Sequence, residues 1–341
     1  MAKPILQVEN LSVGISVPSG NLNAVQNISF SLARGETLCI VGESGCGKSI
    51  TALSLMNLLP KTARRSADKL ELDGADLRGL SEREMSDLRG DRMVMIFQEP
   101  MTSLNPAYTI GNQLEEAMRR HRNVSRDEAR DRAVFLLEKV GITGARGRLG
   151  QYPHQLSGGL RQRVMIAMSL MCDPALILAD EPTTALDVTI QAQILYLLAE
   201  LRNEFDTSLI LITHDLGIVA RIADRVAVMY AGEFVETGTA EQVFNAPSHP
   251  YTQGLLRCIP IPGKTKRGDH LGAIAGIVPN LVGKMEGCHF AGRCPYVRDE
   301  CRSGKIFERA ASEKGHQYRC ILPPKTCAAN LKTAQKSRAV A

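Results

Sequence analysis

Eight residues decide the fold of this 341-residue chain: Gly42-Glu43-Ser44-Gly45-Cys46-Gly47-Lys48-Ser49. An apolar run at 37–41 leads into them, and a helical pattern at 49–59 follows, ended by Pro60. Glycines at this spacing let backbone N–H groups turn inward around phosphate oxygens, while the lysine and the final serine supply a cation and a hydroxyl for Mg²⁺. The octet therefore predicts a nucleotide phosphate loop between a strand and a helix. Cys46 is expected to be sensitive to alkylation, which would obstruct the nucleotide.

An acidic pair ends a second apolar run. Residues 175–179 have the length of a buried strand, and Asp180 and Glu181 follow them. Magnesium held by the hydroxyl of Ser49 needs a carboxylate on a neighbouring strand, and hydrolysis needs a base for the attacking water. We expect Asp180 to hold Mg²⁺, directly or through water, and Glu181 to polarise a water for in-line attack on the γ-phosphate of ATP. An acidic pair after a strand is common by itself, so this prediction depends on the phosphate loop.

The remaining pattern alternates between strands and helices. Strand-length apolar runs occur at 5–8, within 24–41, at 175–179 and at 208–212. An amphipathic helical pattern at 189–204 separates the last two runs, which predicts a parallel sheet with crossover helices. Helical periodicity from about 100 to 165 predicts a helical insertion. Two short runs at 225–230 and 233–236, joined by Ala231-Gly232, predict a hairpin near the end of the sheet.

Composition and charge exclude some classes of protein. No apolar run approaches the roughly 18 to 20 residues of a membrane-spanning helix, and the first residues lack the hydrophobic segment of a signal peptide, so we expect a cytosolic chain. The net charge of +5 arises in residues 262–341, which hold 15 Lys/Arg against 6 Asp/Glu. Such an excess suits nucleic acid, acidic headgroups, an acidic protein or a merely solvated face, so it identifies no partner. Residues 331–341 are expected to form a loose tail.

Five of the nine cysteines lie in the last 54 residues: Cys288, Cys294, Cys301, Cys320 and Cys327. In a reducing cytosol this crowding favours metal ligation over disulfides. The spacing of the first four is too wide for a zinc knuckle, but four thiolates can enclose a [4Fe–4S] cluster or a tetrahedral zinc ion. Ligand count does not separate cluster, zinc and unligated thiols. Either metal group would stabilise a segment poor in aromatic residues, and Cys327 lies beyond the set.

A signature that other phosphate-loop enzymes lack stands at Leu156-Ser157-Gly158-Gly159-Leu160-Arg161-Gln162-Arg163. With the phosphate loop and the acidic pair in the correct order, it makes the chain resemble the ATP-binding subunits of ABC transporters. The resemblance implies a RecA-like α/β nucleotide-binding domain over 1–250, with an antiparallel β subdomain and a helical subdomain. A serine and two glycines at a helix start form another anion site, but one chain cannot close both sites on one γ-phosphate. In the family, two domains meet head to tail and the signature acts on the partner's ATP.

The resemblance implies roles for three further residues. Gln98, in Phe97-Gln98-Glu99-Pro100, is similar to the glutamine that contacts Mg²⁺ or water and reports to the membrane subunits. Asp187, in Thr184-Ala185-Leu186-Asp187, matches the carboxylate of the loop that crosses the dimer interface, and it also suits a helix N-cap. His214 follows the run at 208–212 and resembles the switch histidine that touches the γ-phosphate and holds Glu181. Gln98, Glu181 and His214 are therefore the expected catalytic group.

One departure from the family pattern concerns the adenine. The family stacks this base on an aromatic residue early in the chain, but no aromatic residue precedes Phe30 here. Ile15 stands in the corresponding place. We expect an apolar contact to adenine and weak selectivity for the base.

Three stretches narrow the resemblance: Met101-Thr102-Ser103-Leu104-Asn105-Pro106, residues 182–193, and His249-Pro250-Tyr251-Thr252. Together they are similar to the dipeptide/oligopeptide/nickel uptake branch, and most to its D-type subunits. Such a subunit pairs with a homologous F-type ATP-binding subunit beneath two membrane-spanning permeases, at the cytoplasmic face of the membrane. A substrate-binding protein outside the membrane supplies the cargo. The branch also carries an extension, here 251–330, whose Gly287-Cys288 and Arg293-Cys294-Pro295-Tyr296 suggest the iron–sulfur cluster.

The function implied is ATP-driven import of dipeptides or oligopeptides. Nickel, glutathione or antimicrobial peptides are alternative cargoes within the same class of transporter. A soluble ABC ATPase acting on nucleic acid is the competing class, which the basic C-terminal region would suit. Those proteins usually carry two cassettes in one chain, whereas this sequence has a single set of motifs, so no nucleic-acid partner is expected.

Overall fold

The computed structural model describes residues 3–98, 103–184, 186–259, 273–312 and 315–324. Its strands are β1 (Leu6–Val17), β2 (Gly20–Leu32), β3 (Thr37–Val41), β4 (Ala63–Ser66), β5 (Lys69–Leu72), β6 (Ala75–Asp76), β7 (Met93–Ile96), β8 (Leu176–Asp180), β9 (Ser208–Ile212), β10 (Arg225–Tyr230), β11 (Glu233–Thr239), β12 (Arg309–Ala310) and β13 (Gln317–Tyr318). Its helices are α1 (Lys48–Leu55), α2 (Glu82–Leu88), α3 (Ile110–His121), α4 (Arg126–Lys139), α5 (Ala145–Arg148), α6 (Gly158–Ser169), α7 (Val188–Glu204), α8 (Leu216–Ile222), α9 (Ala240–Asn245) and α10 (Pro250–Arg257). Short 3₁₀ turns occur at Pro153–Gln155, Ala291–Arg293 and Asp299–Cys301.

The central sheet has the strand order β12-β13-β11-β10-β3-β9-β8-β7. Strands β10, β3, β9, β8 and β7 run parallel. Every residue of β3, β8 and β9 is buried, which explains their continuous apolar sequences. The predicted parallel sheet is confirmed, with one strand at the predicted 208–212 and the other shifted by one residue to 176–180. Their carboxyl ends meet at one edge, so β3, β8 and β9 deliver their following loops to a common place.

A second, antiparallel sheet packs against α1. Its order is β2-β1-β5-β6, and β4 also pairs with β1. Strand β1 is far longer than the run predicted at 5–8, because it continues through a bulge. Its pairing with β2 shifts between Val8 and Leu11, and Asn10 has a φ of 51° there. The bulge interrupts the alternation of apolar residues that would have indicated the whole strand.

The helical part packs against the central sheet at β7. Helices α3, α4 and α6 pack on one another, and α6 also contacts β7 and α7. The buried side chains of this part recur at helical spacing: Leu114, Ala129, Ala133, Leu136, Leu137 and Val140. Ser125 and Glu128 form a reciprocal capping box at the start of α4. A helical insertion was predicted at about 100–165, and residues 103–165 of that range contain α3 to α5 and the first eight residues of α6.

Helix α1 is shorter than predicted. It ends at Leu55 rather than at residue 59, since Asn57 takes a left-handed φ of 53° and turns the chain before Pro60. The hairpin of β10 and β11 is confirmed. Ala231 and Gly232 both have left-handed φ angles, 48° and 84°, as a two-residue turn with the twist of its strands requires.

The C-terminal segment, residues 273–312 and 315–324, attaches to the same central sheet. Strand β13 pairs with β11, and β12 pairs with β13. A buried carboxylate fixes this junction: Glu236 of β11 accepts hydrogen bonds from the N–H groups of Ser248 and His249, and lies 2.7 Å from Nε2 of His316. Among the described helices, none has the length and apolar composition that crossing a bilayer requires.

Candidate nucleotide site

The phosphate loop, residues 42–49, leaves β3 and enters α1. Gly42 and Gly47 have φ angles of 155° and 108°. A Cβ atom on Gly42 would lie 2.2 Å from the carbonyl oxygen of Met229, and one on Gly47 would lie 2.4 Å from that of Ala24. Both positions therefore admit only glycine, because the loop is pressed against neighbouring backbone.

Lysine 48 lies almost fully buried against the loop. The Nζ atom of Lys48 donates hydrogen bonds to the carbonyl oxygens of Gly42 and Glu43, each at 2.9 Å. No side chain caps the start of α1. The first N–H groups of this helix and a buried ammonium group thus lie together, as an anion site requires.

Serine 49 and Asp180 form the predicted magnesium side of the site. The hydroxyl of Ser49 donates to Oδ1 of Asp180 at 2.9 Å. Asp180 is only 6% exposed, and this burial raises the pKa of its carboxyl group, against the lowering effect of the bond from Ser49. A hydroxyl and a carboxylate are oxygen ligands of the kind that Mg²⁺ prefers, so this pair fits the ion.

The structure brings the three predicted catalytic residues together. Oε2 of Glu181 lies 3.4 Å from Nε2 of Gln98 and 3.5 Å from Nδ1 of His214. It also accepts a hydrogen bond of 3.0 Å from the hydroxyl of Thr184. The backbone N–H of Glu181 donates to the carbonyl of Ile212 at the end of β9. The side chain of His214 is 61% exposed, so the group opens to solvent. Thr184 was missed as a member of this group, although it belongs to the stretch quoted around Asp187.

The signature stands at the start of α6. The hydroxyl of Ser157 accepts a 3.4 Å hydrogen bond from the N–H of Leu160, and Arg161 donates to the carbonyl of Pro153. Leu156 is buried just before the helix. A Cβ on Gly158 or Gly159 would touch Leu186 or Ile190 at 3.4 Å. Gln162 is fully buried, and neither of its amide atoms has a hydrogen-bond partner among the residues that the structure describes. The signature helix therefore packs against the segment that carries Asp187.

Asp187 and Ile15 are the two remaining predicted site residues. Asp187 occupies the N-cap position of α7, as predicted, but its exposed carboxylate makes no capping hydrogen bond within the described residues. Ala185, in the same stretch, lies outside the described residues, as do residues 99–102. Ile15 is a half-buried residue of β1 that pairs with Leu22 and Ala63. Its contact with adenine stays a prediction.

The surroundings of Cys46 do not favour the expected alkylation, which stays a prediction. The side chain of Cys46 is fully buried, and burial raises the pKa of its thiol despite the nearby ammonium group of Lys48. Alkylation needs an accessible thiolate, which the folded protein does not offer here.

Four cysteines of the C-terminal segment line one small cavity: Cys288, Cys294, Cys301 and Cys320. The cavity is small, with a volume of about 10 Å³. Burial raises the pKa of Cys288 to about 12 and that of Cys294 to about 11. Over the described ranges, no three His, Cys, Asp or Glu groups are arranged to hold a metal ion. The thiols share one cavity without converging on a single centre, and Cys327 lies outside the described residues.

Two residues that touch the phosphate loop were not predicted to do so. The hydroxyl of Tyr251 accepts a 2.9 Å hydrogen bond from the N–H of Glu43, and Arg293 forms an ion pair with the carboxylate of Glu43. In the sequence, both residues belong to stretches that resemble the dipeptide/oligopeptide/nickel uptake branch, which predicts no contact with the phosphate loop. Contacts this distant in the sequence follow no local pattern.

Two families match the sequence. The family described as ABC transporter matches residues 25–184, and the family described as oligopeptide/dipeptide transporter, C-terminal region, matches residues 235–301. The first range contains the phosphate loop, the signature and the acidic pair, and the second contains Tyr251 and Arg293. The fold and the site thus define an ATP-binding cassette of the ABC type.

Relatives that span nearly the whole chain narrow this class. The dipeptide transport ATP-binding protein DppD of Escherichia coli (strain K12) is 48% identical over 94% of this chain and 97% of its own. DppD of Bacillus subtilis (strain 168) is 51% identical over 85% of this chain and 87% of its own. The oligopeptide transport ATP-binding protein AppD of that organism is 48% identical over 93% of this chain and 96% of its own. The chain belongs to the dipeptide and oligopeptide transport branch of the ABC transporter ATP-binding proteins.

Solved structures agree with this fold. The ATP-binding cassette MJ0796, solved as a dimer in a post-hydrolysis state bound to ADP and Pi, has a TM-score of 0.61 and 27% identity, covering 69% of this chain and 98% of its own. CbiO1 from Clostridium perfringens, part of the ABC transporter complex CbiONQ, has a TM-score of 0.61 and 28% identity. The match covers 72% of this chain and 92% of CbiO1. The predicted ABC fold class is confirmed.

Proposed function

We propose that this chain hydrolyses ATP to energise the import of dipeptides or oligopeptides through a membrane transporter. One observation supports the proposed hydrolysis of ATP. The carboxylate of Glu181 lies within 3.5 Å of Gln98 and His214, beside the pair of Asp180 and Ser49. The names of relatives that are 48–51% identical support a peptide cargo.

The residues divide the work of hydrolysis. The phosphate loop binds the phosphates of ATP, with Lys48 on the β and γ groups and Ile15 on the adenine side. Ser49, Asp180 and Gln98 would hold Mg²⁺, which neutralises charge on the phosphate oxygens. Glu181 polarises the attacking water. His214 contacts the γ-phosphate and holds Glu181 in place.

The complete site needs a second cassette. Leu156, Ser157, Gly158, Gly159, Arg161 and Gln162 act on the ATP of the partner, and Asp187 lies at the shared interface. We propose a homologous F-type subunit as that partner, beneath two permeases at the cytoplasmic face of the membrane and supplied by an extracytoplasmic binding protein. The exposed carboxylate of Asp187 supports an interface role. Residues 1–250 form the nucleotide-binding domain in this proposal, and 251–330 form the extension.

Reconstitution tests the cargo and the coupling. The chain is co-expressed with its permeases and partner cassette, placed in liposomes and supplied with a binding protein. We expect dipeptides or oligopeptides to stimulate ATP hydrolysis and to accumulate inside. Stimulation by nickel or glutathione alone would contradict the peptide cargo, and stimulation by RNA or DNA without permeases would contradict the transport function.

We further propose that the four cavity cysteines hold a [4Fe–4S] cluster. Zinc draws four thiolates to about 2.3 Å from one centre, whereas a cubane binds one thiolate at each iron and keeps them farther apart. The four thiols lining one cavity support a shared metal group. Anaerobic purification should yield visible absorption and iron, both lost in Cys294→Ser. Stoichiometric zinc without iron would contradict the cluster.

A further inference from the structure

Glu43 of the phosphate loop is bonded to residues far along the chain. Nη1 of Arg293 lies 2.6 Å from Oε2 of Glu43, and Nη2 lies 2.9 Å from Oε1. The N–H of Glu43 donates to the hydroxyl of Tyr251, while its carbonyl accepts from Lys48. The C-terminal residues therefore hold both the backbone and the side chain of Glu43.

Arg293 is itself fixed in position. Its side chain is 6% exposed. Nε and Nη2 donate to the carbonyl oxygens of Ala275 and Ile274, and the guanidinium lies 5.7 Å from the centre of the Tyr230 ring. A bidentate pair from a rigid fork sets the orientation of a carboxylate, which a mobile surface charge does not.

A packed aromatic group connects this contact to the cysteine cavity. The rings of Tyr230, Tyr251 and Phe290 lie 4.6 to 5.4 Å apart. Phe290 also lines the cavity, and Arg293 immediately precedes Cys294. The wall of the cavity and the phosphate loop are thus joined by contiguous contacts.

We propose that Arg293 is a positioning residue for ATP binding, which rests on the phosphate loop being the ATP site as proposed above. A glycine-rich loop loses much conformational entropy when it closes around phosphates. By fixing Glu43 beforehand, Arg293 reduces that loss and raises affinity. Because binding couplings are reciprocal, bound ATP stabilises the segment around Arg293 by the same free energy.

Equilibrium binding of Mg²⁺–ATP to the full chain tests the first half of this inference. We expect Arg293→Met to weaken affinity about tenfold, within the usual range of couplings between sites. Arg293→Lys should recover part of the loss. Arg298→Met, an exposed arginine five residues away, is the matched control and should bind like the wild type.

A double-mutant cycle separates positioning from general stability. Glu43→Gln leaves the C-terminal segment intact and should weaken affinity as Arg293→Met does, while the double variant should bind no more weakly than either. Glu43→Gln also tests the inference by itself if Arg293→Met fails to fold. A lower melting temperature with unchanged ATP affinity in these variants would overturn the inference. So would a double variant in which the two losses of ATP affinity multiply.

Amide hydrogen exchange tests the reciprocal half. Mg²⁺–ATP should slow exchange in residues 287–302 of the wild type and leave it unchanged in Glu43→Gln. Equal slowing of exchange in the wild type and in Glu43→Gln would overturn this inference but not the proposed function. If the wild type bound ATP no better than Lys48→Ala, the proposed function would fail and this inference with it.

Discussion

Glu181 has a φ angle of 43°, in the left-handed region that residues with a Cβ atom avoid at a cost of about 1–2 kcal/mol. The hydrogen bond from its N–H to Ile212 and the bond from Thr184 to its carboxylate hold it there. A glycine would remove the strain and the carboxylate together. The conformation turns the side chain toward Gln98 and His214 directly after the strand ends.

Replacing this carboxylate should separate binding from hydrolysis. In Glu181→Gln, ATP hydrolysis should fall by about 10² to 10⁴, the usual contribution of a general base. The affinity for ATP should change little, because the phosphate loop is untouched. Phosphate release and equilibrium binding measure the two effects. Glu241→Gln, an exposed carboxylate of α9, is the control, and wild-type turnover in Glu181→Gln would refute the assignment of the base.

The buried imidazole of His249 makes stability depend on pH. Burial lowers the pKa of His249 to about 3, well below the ordinary value near 6.5. The unfolded chain therefore binds a proton that the folded chain does not, and stability declines as the pH falls from about 6.5 toward 3. Above pH 6.5 this contribution is fully present.

Substitution of His249 should flatten that decline. In His249→Asn, whose side chain can still accept a hydrogen bond from Tyr251, the free energy of unfolding should lose a few kcal/mol less than the wild type between pH 7 and 4.5. Denaturant unfolding at several pH values measures this. Parallel curves for the two proteins would contradict the effect.

At the scale of elements, the glycines between β3 and α1 combine two separate constraints. Gly45 and Gly47 both have positive φ angles, 75° and 108°. A Cβ on Gly45 would meet nothing within 4 Å, whereas one on Gly47 would approach the carbonyl of Ala24. The pair therefore separates the conformational cost of an alanine from its steric cost.

Alanine at Gly47 should harm the protein more than alanine at Gly45. Gly45→Ala should lose about 1 kcal/mol of stability from its backbone conformation. Gly47→Ala should lose a further 1–3 kcal/mol, approximately, because the loop must move away from Ala24, and it should bind ATP poorly. Thermal unfolding and ATP binding are the measurements. Equal losses in the two variants would show that the close approach to Ala24 has no energetic consequence.

The elements differ in how well their sequences indicated them. Strands β3, β8 and β9 were predicted nearly to the residue, since burial on both faces requires an unbroken apolar run. Strand β1 was predicted only in part, because the bulge at Asn10 breaks its alternation. The gathering of Gln98, Glu181 and His214 followed from family order. Neither the burial of Cys46 nor the contact of Arg293 with Glu43 could be predicted, as both depend on packing between distant segments.

At the scale of the whole molecule, activity should depend on association. The signature helix packs on the segment of Asp187, and the hydroxyl of Ser157 at its start accepts a hydrogen bond from the same helix. A single chain thus has one half of each shared site. The isolated chain should hydrolyse ATP at least about tenfold more slowly than the chain with its partner cassette.

Association should also respond to ATP. In Glu181→Gln, where ATP persists, light scattering should detect a dimer with the partner cassette that wild type shows only transiently. Ser157→Arg should abolish this dimer, because a cation and bulk replace the hydroxyl at the helix start. Full hydrolysis by a monomer, or a dimer that is indifferent to Ser157→Arg, would contradict the shared site.

A ribosome makes Glu43 long before it makes Arg293. The two residues are 250 positions apart, which at about 5–20 residues per second is roughly 10 to 50 seconds of synthesis. During that interval the nascent chain carries a phosphate loop without its arginine. Strand β11 is likewise made before β13, the strand that pairs with it. Maturation of the nucleotide site is thereby deferred until Arg293 has been made, so a translation product that stops before this residue lacks the completed loop.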